Sequence, residues 1–173
     1  MSTRVLLLNR LSIILNEVID IDKVDAIPLK LDSRITFPYG DFEYGMVIQS
    51  MEPENKNIFP KIFTLPQDMK GYYNFGFDIE NTTKRIEPKT YKEIAKPLAI
   101  ISKSLIEWIS KNDPILINVF ADSNNEDELN KKLNLYGGLL NRENSKLESM
   151  EYSWDFYNSP ILGKNIYIKK ITK

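Results

Sequence analysis

Residues 90–121 constrain the fold more than any other stretch of the chain. Ile94, Leu98, Ile101, Leu105, Trp108 and Ile109 recur on one helical face, which predicts a long amphipathic helix. Thr90 and Glu93 form a Thr-x-x-Glu capping box at its start. Pro97 falls inside the pattern and predicts a kink or a later start, because it removes a backbone donor and crowds the preceding turn. Asn112-Asp113-Pro114 ends the helix, and Ile115 to Ala121 follows as a near-continuous apolar run. A run of that kind and length suits a central strand covered on both faces. The rest of the chain must therefore supply neighbouring strands and a covering layer.

Alternation elsewhere supplies the strands. Ile35 and Phe37 lead into Pro38-Tyr39-Gly40-Asp41, a turn cluster. Phe42, Tyr44, Met46 and Ile48 then alternate with Glu43, Gly45, Val47 and Gln49, the period of a half-buried strand. Residues 52–57 read as a polar loop, and Ile58 to Leu65 as a short strand candidate that Pro60 and Pro66 push toward an edge or an irregular stretch. Tyr73, Phe75, Phe77 and Ile79 alternate again, with Gly76 inside the run marking a bulge or a close backbone approach. Residues 81–89 form a polar loop.

Ser123 and Glu126 offer a second capping box, followed by a helix carrying Leu129, Leu133, Tyr136 and Leu140 on its apolar side. Gly137-Gly138 is expected to end or fray that helix. Met150, Tyr152, Trp154 and Phe156 alternate, Asn158-Ser159-Pro160 turns the chain, and Ile166 and Ile168 lead a last strand with a basic tail. At the other end, Ser2 caps a helix to about Val18 through Leu7, Leu11, Ile14, Leu15 and Val18, with a strand at residues 4–8 as the competing reading. The expected fold is α+β: a mainly antiparallel sheet with two or three packed helices in a single domain spanning 1–173.

Composition removes whole classes of chemistry. The 173 residues contain no cysteine and no histidine. Disulfides, thiolate nucleophiles, zinc-thiolate sites, Ser-His-Asp triads and His-ligated metals are excluded. Catalysis would fall to Asp, Glu, Lys, Tyr, Ser, Thr or backbone groups. The 23 basic and 24 acidic residues leave a net charge of −1, so no bulk field draws the chain to nucleic acid or an anionic membrane. The longest apolar run near Val5 to Leu15 is four residues, which predicts neither a signal peptide nor a membrane span.

The succession of strand 72–79, loop, helix 90–111, strand 115–121, helix 124–137 and closing strand pair resembles the C-terminal half of the GNAT superfamily of N-acetyltransferases. The resemblance implies a bulged strand before the long helix that splays from its neighbour. It also implies acetyl-CoA in the gap, with its pyrophosphate on amides at the helix N-terminus. Gly76 would supply the bulge, and Thr82, Thr83, Lys84 and Arg85 would partner phosphate. Tyr136 would act as the general acid for the leaving thiolate. The chain is also similar to small uncharacterised tailed-phage proteins. The residues that carry this are Tyr73, Phe75 and Phe77, the helix to Trp108-Ile109, Pro114 to Ala121, and Leu135-Tyr136. That implies a host cytoplasm or a virion as its place.

Each of these residues also has a plainer explanation. Tyr136 continues the Leu129–Leu133 stripe as a core aromatic, and Lys84-Arg85 suits a solvated loop. Glu43, Asp78 and Glu80 are candidate bases for a substrate amine, yet carboxylates on a strand face commonly point to water. Asp122, Asn124, Asn125, Glu126 and Asp127 lack calcium-loop spacing, and helix capping explains them. Tyr152, Trp154 and Phe156 offer a stacking face or ordinary sheet-to-helix packing. Lys169, Lys170 and Lys173 make a small solubilising tail.

The phosphate loop of the acetyltransferases is normally Arg/Gln-x-x-Gly-x-Gly/Ala, and no glycine occurs here between Gly76 and Gly137. Ile86 and Pro88 bring bulk where amides should approach phosphate, and Pro88 has no amide. The sequence therefore favours a non-catalytic GNAT-like module without a cofactor, acting through a protein partner or self-assembly. The alternative is an acetyl-CoA-dependent N-acetyltransferase.

Overall fold

The computed structural model describes residues 20, 23–81, 91–121 and 126–172. The expected N-terminal helix and the Thr90 and Ser123 caps lie outside them. The fold class is as expected: α+β, with helices on a six-stranded open sheet.

Strands β1 (Arg34–Tyr39) and β2 (Phe42–Ser50) form the predicted hairpin, closed at Gly40-Asp41 with Gly40 at φ +60°. Strand β3 (Tyr72–Asn81) returns antiparallel to β2. Helix α1 (Tyr91–Asn112) crosses over to β4 (Leu116–Ala121), which runs parallel to β3. Helix α2 (Glu126–Arg142), helix α3 (Asn144–Ser149) and the hairpin β5 (Tyr152–Ser159) and β6 (Gly163–Lys170) complete the chain. Spatial order is β1-β2-β3-β4-β6-β5, so the closing hairpin docks through its second strand.

Strand parity divides the sheet into two unlike faces. One face presents Tyr44, Met46, Ile48, Phe75, Phe77, Ile117, Val119, Ile166 and Ile168 to the helices. Leu98, Ile101, Leu105, Trp108 and Ile109 of α1 meet them as the sequence stripe predicts, joined by Ala95, Ala99 and Ile106. The Trp108 ring stands edge-on to Tyr73 at 4.9 Å. Pro97 sits inside α1 and is buried.

A strap covers the other face. After a 3₁₀ turn at Pro53–Ile58, residues 59–65 run irregularly across the sheet, the second of the two courses expected of this stretch. Met51, Ile58, Phe59 and Met69 of the strap pack on Tyr72, Leu116 and Tyr157, with Phe63, Leu65 and Tyr167 alongside. Prolines at 60 and 66 suit this role, since they deny a strand its ladder donors.

Two expectations fail for identifiable reasons. Helix α2 continues through Gly137-Gly138 to Arg142. Two glycines cost the helix about 2 kcal/mol relative to alanine. Burial of Leu139 and Leu140 just beyond them contributes about 3–6 kcal/mol, so packing overrides propensity. The bulge at Gly76 is also absent: the β2–β3 ladder runs unbroken from Phe42↔Asn81 to Ser50↔Tyr73. The β3–β4 ladder likewise continues through Gly76↔Phe120 to Phe77↔Ala121.

Candidate functional site

Of the residues that the acetyltransferase resemblance singles out, Gly76 and Tyr136 fall in the described chain, and they serve opposite faces of the sheet. A side chain at Gly76 would project onto the strap face, where its Cβ would come within 2.6 Å of Phe120 Cζ. The glycine thus admits an aromatic ring rather than a bulge, the second of its two sequence readings. Tyr136 stands on the opposite, helical face. Its ring stacks on Phe77 with centroids 5.0 Å apart and planes inclined by 25°.

Tyr136 is wholly buried between α2, α1 and the sheet, and neither its hydroxyl nor that of buried Ser102 has a hydrogen-bond partner among the described residues. Burial raises its pKa far above the ordinary tyrosine value, and the nearby Ser102 hydroxyl works weakly in the opposite direction. A neutral phenol is the protonation state a general acid needs. In this structure that hydroxyl is sealed from solvent.

Thr82, Thr83, Lys84 and Arg85 lie outside the described residues, as do Asp122, Asn124 and Asn125. Among the carboxylates named as candidate bases, Asp78 is engaged: Arg34 Nη1 donates to its Oδ2 at 2.6 Å across Gly45. Glu43 lies on β2 and is half-buried, while Glu126 and Asp127 are exposed at the start of α2. Among the described residues no three carboxylates converge as metal ligands. Trp154 and Phe156 pack partly against the helical core with rings 5.7 Å apart. Tyr152 is buried, and its hydroxyl donates to the Pro114 carbonyl at 2.7 Å.

The sequence reading missed a polar row on the strap face. Asn118 is fully buried in the middle of β4, donating from Nδ2 to Asn74 Oδ1 at 3.0 Å. Tyr157 Oη donates to Asn118 Oδ1 at 2.6 Å, and burial pushes its pKa well up, partly offset by Asn165. Asn165 is 2% exposed and its Nδ2 has no partner among the described residues. Phe59 and Phe63 roof this row, both with ring centroids 5.6 Å from Tyr157. An asparagine inside the apolar run Ile115 to Ala121 was the signal, since a buried amide must find partners.

Asn165 also marks where one seam opens. The β4–β6 ladder stops at Val119↔Ile166, although β5–β6 pairing continues to Ser159↔Gly163 and β3–β4 pairing to Phe77↔Ala121. In the described residues the parallel pair is therefore closed, and the divergence lies one strand further along.

No protein family, curated protein or solved structure matches the chain. No described helix is long and apolar enough to cross a membrane.

Proposed function

We propose that the chain is a non-catalytic module with an acetyltransferase-like chain order, of tailed-phage type, that acts by binding another protein in a virion or in a host cell. The parallel β3–β4 pair joined by α1, followed by α2 and an antiparallel hairpin, supports the likeness of order. The observation that carries the non-catalytic reading is the state of Gly76. Both ladders pass through it and the Phe120 ring occupies its open side. A thioester carbonyl laid along β3 needs a strand amide released from pairing, and here the ladder keeps them engaged. The burial of Tyr136 points the same way.

Thermal denaturation with and without acetyl-CoA tests this. A cofactor present at 100 times its Kd stabilises by about 2.7 kcal/mol, which raises Tm by roughly 5–10 °C for a chain of this size. The expected result is no shift. A saturable shift, abolished by replacing Lys84 and Arg85, would favour the acetyltransferase instead, with Tyr136 exposed by rearrangement of α2.

A further inference from the structure

We propose that residues 52–70 of the strap form a lid that lifts from the sheet as one unit, baring the amide row while the sheet and its helices stay folded. This does not rest on the functional reading above. The two ends of the segment lie side by side. Ser50↔Tyr73 closes the β2–β3 ladder, and Met51 N–H donates to the Tyr72 carbonyl at 2.9 Å just beyond it. The second end is fixed again at Gly71, whose carbonyl accepts the Ile115 N–H at 2.8 Å and whose φ is +83°. These attachments lie outside residues 52–70, so the segment can leave the sheet without unzipping a strand. Compact loops with closed ends and their own internal packing are units of this kind.

The forces inside the strap differ from those that hold it down. The hydrogen bonds described for residues 52–68 close within it. Asn55 N–H donates to the Glu52 carbonyl at 2.9 Å, Phe59 N–H to that of Lys56 at 3.2 Å, and Phe63 N–H to that of Pro60 at 3.0 Å. Glu52 N–H likewise donates to Asn55 Oδ1 at 2.8 Å. The Phe59 and Phe63 rings pack on each other with centroids 5.3 Å apart. Against the sheet, the hold is side-chain burial: Ile58, Phe59, Phe63 and Leu65 lie on Tyr72, Leu116, Tyr157 and Tyr167. Lifting therefore costs apolar contact, which is non-directional, and leaves the internal turns whole. At mid-strap Ile62 is 88% exposed and adds nothing to the hold.

The surface beneath lowers the cost of opening. The hydrogen bonds from Asn118 to Asn74 and from Tyr157 to Asn118 run between strands, so they survive the strap's departure. Water that reaches Asn118 and the Tyr157 hydroxyl hydrates polar atoms that burial keeps dry. The helical face offers no such return, since Phe75, Ile117 and Ile166 would meet water as bare hydrocarbon. Irregular segments also open at lower free energy than core strands and helices. A ligand of the amide row has to bind the open form, so the strap gates that row.

Native-state amide exchange at increasing urea tests this on the full chain. The Phe59 and Phe63 amides are expected to share one opening, with a urea slope smaller than that of the Phe75 and Val119 amides in the central strands. Phe59→Ala should speed exchange at the Phe63 amide roughly tenfold or more, and Phe59→Leu should act in the same direction by less. Ile101→Val, on the helical face, should speed exchange at Phe75 and Val119 about fivefold. It should leave the Phe63 amide unchanged, because the shut and open forms lose that methyl contact alike. Equal acceleration of strap and strand amides by Ile101→Val overturns the proposal, since the strap then opens only in global unfolding. So does a Phe63 amide that ignores urea or both Phe59 variants, since its turn then frays alone.

Discussion

The two faces of this sheet are built on different principles. The helical face is a mainly apolar layer in which Phe75, Ile117, Leu98, Ile101 and Leu105 are completely buried, interrupted by the Tyr136 and Ser102 hydroxyls. The strap face is covered by one irregular segment, and beneath it a directional chain of hydrogen bonds runs from Tyr157 to Asn118 to Asn74, with Asn165 buried alongside. Apolar burial is non-directional and tolerates local adjustment, whereas buried amides demand specific partners. The helical face therefore carries more of the stability, and the strap face more of the positional specificity.

The largest effect should come from cutting the same side chain on both faces. Phe75→Ala removes a fully buried ring from the helical face and is expected to cost about 3–5 kcal/mol in urea unfolding. Phe59 is nearly as buried, at 4% exposure, but it belongs to the strap. A strap without regular structure relaxes into the space more readily than a helix bundle, so Phe59→Ala should cost about 2 kcal/mol. Equal losses would break the distinction between the faces.

A smaller effect addresses the amide row itself. Asn118→Leu strands the Tyr157 hydroxyl and the Asn74 carbonyl, with a cost of about 1–3 kcal/mol. Tyr157→Phe strands Asn118 Oδ1 in return. The double variant removes both partners and should be less destabilised than the sum of the singles, with a coupling of about 1 kcal/mol. Additive losses would mean that the 2.6 Å contact contributes nothing to the strap face, and that its polar row is incidental.

What could be read in advance follows the same division. Period-two and helical patterning report burial against a regular partner, so α1, β4 and the alternating strands were all legible from their apolar residues. The strap was legible only as a choice between edge strand and irregular stretch, because Ile58 to Leu65 is apolar like a strand while its packing is set by Tyr72, Tyr157 and Tyr167 from distant sequence. Gly137-Gly138 misled for a related reason: a local stop signal yields when Leu139 and Leu140 find a core. Gly76 offered two readings, and only the position of Phe120 chose between them.

The smallest expected effect tests the claim that the helical face holds without charge. At its rim, Lys170 donates to both oxygens of Asp113 at 2.5 and 2.6 Å, and Tyr152 Oη lies 3.1 Å from Asp113 Oδ1. This ties the end of α1 to the last strand. The hydrogen bond from Lys170, with the Tyr152 hydroxyl close by, holds the Asp113 carboxyl below its ordinary pKa of 3.8. A depressed folded-state pKa contributes stability that is complete above the ordinary value and is lost as pH falls through the folded one. Lys170→Ala should therefore lower Tm slightly at neutral pH, and the gap to the parent chain should close below about pH 4. Asp113 is well exposed, so water screens the pair and the gap should be no larger than that of a surface ion pair. A large gap that persists at acid pH would mean that Lys170 acts through its packed stem against the sheet, and that the rim, like the rest of this face, is held by apolar contact.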